Sequence, residues 1–242
     1  MGIQAVFFDL DETLLDDDAA MRGAASLTCH ALARKYPWLD IENLADTYTR
    51  LSNEAWTSYG SVPKATGSVV SSGREIRQQV WGRALSLYGI SHRDAAELAA
   101  TVYQQERRRT YRLFPDAVEL LTAILGRFKT GIITNGAGDV QREKILVTGI
   151  GAFIDELFIS GELGVGKPDP EIFRIGLQTL GVSSDEALHI GDSLSSDIAG
   201  AKSAGMQTVW VNRKNMPRDP QLPTPDIEIP SLTNLMPILL GR

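Results

Sequence analysis

Two hydrophobic periods alternate along this chain, and that alternation restricts the fold more than any other feature. Residues 3–8 form a short, nearly continuous apolar run with β-branched and aromatic members, the pattern of a strand buried on both faces of a parallel sheet. Similar runs recur at 130–133, 156–159, 187–190, 208–211 and, more weakly, 226–229. Helix-period patterns lie between them at 116–128, 140–148, 171–180 and 196–204. Strand and helix in strict succession predict an α/β fold built on a doubly wound parallel sheet, Rossmann-like in its winding.

Residues 17–112 break the succession. Ile41, Leu44, Ala45, Tyr48, Leu51 and Trp56 fall near helical spacing, as do Ile76, Val80, Ala84, Leu85 and Tyr88, then Ala95, Leu98, Ala99, Val102 and Tyr103. A further helix is expected around 20–36. This helical insert leaves the chain directly after the first strand and returns near Phe114-Pro115. It should therefore sit over the carboxyl end of that strand, where open α/β sheets bind ligands. The expected organisation is a catalytic core of 1–16 and 113–242 with an inserted helical-bundle cap of 17–112. Residues 60–73, rich in Gly and Ser, read as a loop.

Composition narrows the partners. Across 242 residues, Lys plus Arg number 24 against 30 Asp plus Glu, a net charge of -6, so no global positive field exists to hold a nucleic-acid polymer or an anionic membrane. A small molecule is the expected partner, and composition leaves the oligomeric state open. No run approaches the roughly 20 apolar residues that span a bilayer. The first apolar run ends at once in Asp9, Asp11 and Glu12, unlike a signal peptide. The lone Cys29, in an apolar helical pattern, excludes an internal disulfide and reads as a small core residue. A cytoplasmic location is expected.

The chemistry-bearing residues gather at strand ends. The first strand runs into Asp9-Leu10-Asp11; two carboxylates so spaced can enter one pocket, where repulsion raises the pKa of one. One then stays an anion while the other holds a proton, a division that suits displacement at phosphorus: Asp9 attacks, and Asp11 protonates the leaving oxygen and later deprotonates water. Taken alone, an Asp-rich turn is equally well only a turn. After the second strand comes Thr134-Asn135-Gly136, whose hydroxyl and backbone N–H groups could hold phosphoryl oxygens. Lys167, restricted to an extended conformation by Pro168, could screen the nucleophile from an incoming phosphate. Pro168 itself suits the first turn of the next helix. The strand at 187–190 leads into Gly191-Asp192 and on to Asp197, acids that would make a hard-oxygen site suited to magnesium. His189, inside an apolar strand, reads as a core histidine. Arg107, Arg108, Arg109 and Arg112 read as a solvated helix end.

In this order, each at a strand's carboxyl end, these four elements resemble the haloacid dehalogenase superfamily, specifically its phosphatases with a helical cap inserted after the first motif. The resemblance spans nearly the whole chain and includes the run 192–201 with Ala204-Gly205-Met206 behind it. It implies Asp9 as nucleophile, Asp11 as acid and base, and Thr134, Asn135 and Lys167 around the substrate phosphate. It also implies Mg2+ held by the Asp9 carboxylate, the Asp11 backbone carbonyl and Asp192, with Asp197 in support. Glu12 stands where many members have glycine. The implied activity is hydrolysis of a small phosphorylated metabolite through a phospho-aspartyl intermediate, with nucleoside monophosphates and sugar phosphates as candidate substrates. Three rivals remain. A 2-haloacid dehalogenase needs no acid at Asp11; a phosphonatase needs a cap lysine, for which Lys35 and Lys64 are the candidates; a non-catalytic binding protein need not keep all four catalytic positions filled.

Overall fold

The computed structural model describes residues 2–61 and 72–241. Along the chain come β1 (Ala5–Phe8), α1 (Asp17–Ala33), α2 (Ile41–Ser61), α3 (Gly73–Ser86), α4 (Arg93–Thr110), α5 (Pro115–Ile124), β2 (Lys129–Thr134) and α6 (Gly138–Thr148). They are followed by β3 (Glu156–Ile159), α7 (Ser160–Leu163), α8 (Pro170–Leu180), β4 (Ala187–Gly191), α9 (Ala199–Ser203), β5 (Gln207–Val211), β6 (Ile227–Ile229) and α10 (Met236–Leu240). The six strands form one sheet in the order β3-β2-β1-β4-β5-β6, every pairing parallel. The winding reverses between β1 and β4, and the carboxyl ends of those two strands are where such sheets place their ligands.

All six expected strands are present; the central β1 and β4 are buried throughout, while the edge strands β3 and β6 bury only part of their length. Phe7 is wholly buried and packs with Ile133, Phe158, Ile172 and Phe173 in one core cluster. Burying one such side chain stabilises the fold by about 1.5–3 kcal/mol. Gly131 lets β2 pass this cluster: a Cβ there would lie 2.8 Å from the Phe7 ring.

Helix boundaries departed from the hydrophobic pattern in three places. α5 ends at Ile124 rather than near residue 128, and Gly126 follows in the left-handed region (φ 70°). α8 has Pro170, not Pro168, in its first turn, with the Asp169 carboxylate accepting from the Glu171 N–H at 2.9 Å. The helix expected over 196–204 opens instead with a widened, π-type turn at Leu194–Ile198 before α9, a form that recurs at functional sites.

The chain divides into two compact units, one of Met1–Asp16, Leu113–Asn135 and Thr148–Arg242, the other of Asp17–Arg112 and Gly136–Val147. The second unit is helical, and its core holds Leu32, Leu44, Tyr48, Leu51, Trp81 and Tyr103. Trp81 stacks on Tyr48 with ring centroids 3.9 Å apart, and Cys29 is buried in the same core. α3 opens with a reciprocal cap in which Ser72 and Glu75 each satisfy the other's backbone N–H. Arg107 departs from the solvated reading: its guanidinium is buried and donates to the Asp17 carboxylate at 2.5 Å. Lys64, with most of the stretch expected as a loop, lies outside the described residues. Among the described residues no helix is long and apolar enough to cross a membrane.

Candidate active site

Asp9 follows directly on β1 and extends its ladder, its N–H donating to the Ile190 carbonyl at 2.9 Å. The chain then folds back on itself, with the Leu14 and Leu15 N–H groups both donating to the Leu10 carbonyl at 2.9 Å. Glu12 sits within this loop at φ 62°, a left-handed conformation that costs a side-chain-bearing residue roughly 1–2 kcal/mol. Glycine would occupy it without that cost. Arg213 ties the loop down from afar, donating to the Thr13 carbonyl at 2.9 Å and gripping both carboxylate oxygens of Asp116. Asp11, partly buried, makes an isolated bridge with Leu15.

Lys167 reaches the end of β1 from a different connection. Its buried ammonium donates to Asp9 Oδ1 at 2.5 Å and to Asp197 Oδ1 at 2.6 Å. The Asn135 side chain holds the lysine's backbone at both ends, accepting from the Lys167 N–H at 2.9 Å and donating to its carbonyl at 2.8 Å. Gly166 makes this contact possible, since a Cβ there would stand 2.7 Å from Asn135 Oδ1. The Asn135 amide thus positions Lys167, a role that sequence pattern did not reveal. Thr134 is buried as the last residue of β2, beside β1 in the sheet.

Asp197 lies in the π-type turn after β4. Its Oδ2 accepts from the Ser193 N–H at 3.1 Å, and its Oδ1 meets His189 Nε2 at 3.0 Å. Gly191 leaves room for the carboxylate: a Cβ there would fall 2.3 Å from Asp197 Cγ. The Asp192 carbonyl accepts from the Trp210 indole at 2.7 Å, which fixes the turn that carries its side chain. Oxygens of Asp9, Asp192 and Asp197 all lie within 4.8 Å of one another. The structure therefore brings together Asp9, Lys167, Asp192 and Asp197 and sets Thr134 and Asn135 on the neighbouring strand end.

One ammonium among three carboxylates cannot offset both their burial and their mutual repulsion, and the acidities show it. Burial, followed by the repulsion of Asp197 and Asp11, pushes Asp9 up to about 7 despite Lys167. Burial, with Asp9 and Asp197, pushes Asp192 up to about 8. Asp197 behaves oppositely: burial works to raise it, but Lys167 and His189 bring it down to about 2. Burial alone would lower Lys167, and the two carboxylates it touches raise it above its ordinary value. Such a set of hard oxygen donors, two of them reluctant to ionise unaided, fits a divalent cation that prefers oxygen.

Comparisons with known proteins show the family. The haloacid dehalogenase-like hydrolase family model matches residues 3–205. Phosphoserine phosphatase of Thermus thermophilus is 33% identical, over 95% of this chain and 96% of its own. N-acylneuraminate-9-phosphatase of Homo sapiens is 30% identical, over 98% and 94%. Among solved structures, the magnesium-bound HAD-hydrolase YfnB of Bacillus subtilis is 25% identical and covers 99% of both chains with a TM-score of 0.76. Solved 2-haloacid dehalogenases share the fold as well. The chain belongs to the haloacid dehalogenase-like hydrolases, and its curated relatives place it among the phosphatases of that family.

Proposed function

We propose that the protein is a magnesium-dependent phosphohydrolase that cleaves small phosphate monoesters through a phospho-aspartyl intermediate at Asp9. The observation that carries this reading is the buried chain Asp9–Lys167–Asp197 with Asp192 beside it, at the carboxyl ends of two adjacent parallel strands. An Asp9 oxygen attacks phosphorus while the bond to the leaving oxygen breaks, and Asp11 gives that oxygen its proton. Asp11 then takes a proton from water, the water oxygen attacks phosphorus, and the bond to Asp9 breaks to release inorganic phosphate. Lys167 favours the ionised form of Asp9, against the burial that opposes it, and offsets the repulsion between that anion and the incoming phosphoryl group. Thr134, with the backbone N–H groups after β2, binds phosphoryl oxygens.

The Asp9 carboxylate, the Asp11 backbone carbonyl and Asp192 would hold the magnesium ion, with Asp197 in support. When bound, it would polarise a phosphoryl oxygen and stabilise charge as the transition state forms. Asp11 favours phosphate esters over 2-haloacids, whose displacement needs no acid there. A phosphonatase lysine finds no support in Lys35, which lies exposed beside the Tyr36 ring. We assign selectivity among monoesters to the insert 17–112 because of where it enters the chain, and a cytoplasmic location from composition.

A turnover panel tests the reading. Purified protein should release phosphate from members of a set of phosphoserine, N-acylneuraminate 9-phosphate, nucleoside monophosphates and sugar phosphates. Chelator should stop the reaction and added magnesium restore it. Full activity in excess chelator, or halide release from 2-haloacids at a comparable rate, would overturn it.

A further inference from the structure

His189 takes no part in the chemistry proposed above, yet it touches the group that holds the lysine. It occupies the middle of β4, wholly buried, opposite Phe7 on one side and Thr208 on the other. As a packing element an imidazole is a poor choice there, because a buried polar group without its hydrogen bonds costs about 1–3 kcal/mol. An apolar side chain would fill the space beside Phe173, whose ring centroid is 5.0 Å away, at no such cost.

The hydrogen bonding shows what the ring does. Both Asp197 oxygens already act as acceptors, Oδ1 from the Lys167 ammonium at 2.6 Å and Oδ2 from the Ser193 N–H at 3.1 Å, so the contact at 3.0 Å places the proton on His189 Nε2. The ring's second nitrogen, Nδ1, makes no contact of this kind. That nitrogen is buried without a hydrogen-bond partner. Asp197 is held from three directions: Nε2–H on Oδ1, the Ser193 N–H on Oδ2, and the Gly191 backbone against Cγ. On the same Oδ1 rests the Lys167 ammonium that also contacts Asp9.

We infer that His189 is a positioning residue, whose Nε2–H locks the orientation of the Asp197 carboxylate and so seats the Lys167 ammonium on the Asp9 nucleophile. The inference rests on the phosphohydrolase reading. Without the N–H, Oδ1 keeps only the Lys167 ammonium, the carboxylate can turn about the Ser193 N–H that holds Oδ2, and Lys167 moves with it away from the anion that attacks. The deficit falls in the chemical step, where the lysine's charge is needed most.

Two substitutions separate positioning from packing. His189→Phe keeps a flat ring and removes the donor, whereas His189→Gln keeps an N–H near the Nε2 position. With p-nitrophenyl phosphate and magnesium, His189→Phe should lower kcat at least about tenfold while KM moves less than about threefold. His189→Gln should recover kcat to within about threefold of the parent. In an Asp197→Asn background the further loss from His189→Phe should shrink below about twofold. A His189→Phe variant within twofold of the parent overturns the inference, as do equal losses in folded Phe and Gln variants, or an undiminished loss in the Asp197→Asn background. Should His189→Phe fail to fold, nitrogen NMR of the parent decides: a proton on Nε2 supports the inference and a proton on Nδ1 overturns it. A parent inert toward every monoester overturns the phosphohydrolase reading itself and removes the inference with it, an outcome distinct from an active parent with an unaffected variant.

Discussion

Each of the two units buries an ionic cluster, and the two are balanced in opposite senses. In the helical unit one carboxylate meets two cations: Asp17 accepts from Arg107 at 2.5 Å and lies 3.0 Å from Lys144. Burial works to raise Asp17, but Lys144 and Arg107 hold it down to about 2. In the α/β unit one cation serves three carboxylates, and Asp9 and Asp192 rise to about 7 and 8. The first cluster keeps its one carboxylate ionised and acts as a structural tie between α1, α4 and α6. The second is left electrostatically incomplete, which costs stability and creates affinity for a cation and a use for a proton. A reactive site can be recognised by that imbalance, whereas buried charge alone does not distinguish the two.

The largest expected effect comes from removing the proposed nucleophile. Asp9→Asn should reduce turnover by at least about 10^4-fold while the protein stays folded by circular dichroism. Activity within tenfold of the parent would strip Asp9 of that role and erase the contrast between the clusters.

Next in size is the structural cluster. Asp17→Asn removes the carboxylate that two buried cations share and should destabilise the protein by about 3 kcal/mol in denaturant melts. A loss below about 0.5 kcal/mol would mean that the Asp17 cluster is no tie at all.

Asp11 should give a graded effect. Protonation of the leaving group matters most when that group is poor, so Asp11→Asn should slow alkyl phosphates about a hundredfold more than p-nitrophenyl phosphate. Equal losses on both substrates would remove the acid role.

The opposite balances also predict opposite responses to pH. A carboxyl raised above its unfolded value of 3.8 binds its proton more tightly in the folded protein. Its stabilisation is complete below about pH 4 and is lost as pH rises through about 7 to 8. Without magnesium, melting temperature should therefore fall from pH 5 to pH 8, and Asp192→Asn should restore about 2 kcal/mol at pH 8. Asp17 contributes in the other direction: its stabilisation is present above 3.8 and lost only as pH falls through about 2. A metal-free protein equally stable at pH 5 and pH 8, with no gain from Asp192→Asn, would show that the acidic cluster carries no strain.

The smallest effect concerns the loop after β1. Glu12→Gly releases a left-handed residue and should raise stability by about 1 kcal/mol, less whatever the exposed contact to Lys214 at 3.6 Å contributes.

The sequence by itself determined the strands and the strand-end motifs. A strand buried on both faces must be a short continuous apolar run, and the alternation of such runs with helix-period segments is readable within a few residues. Asp9, Lys167, Asp192 and Asp197 were legible for the same reason, because each stands at a fixed offset from a strand end or a helix start. The tertiary structure alone decided which of these groups meet. Lys167 reaches Asp9 across 158 positions and Asn135 clamps Lys167 across 32; neither separation repeats with any local period. His189 was read as a core residue because its apolar neighbours describe a strand interior. Only the π-type turn that brings Asp197 back against Gly191 gives its Nε2 something to hold. Arg107 was misread in the same way: an arginine at a helix end looks solvated until another helix presents a carboxylate to it. Local periodicity decides which face a residue occupies, but the charge it meets there is set by chain packing over distances that no sequence window covers.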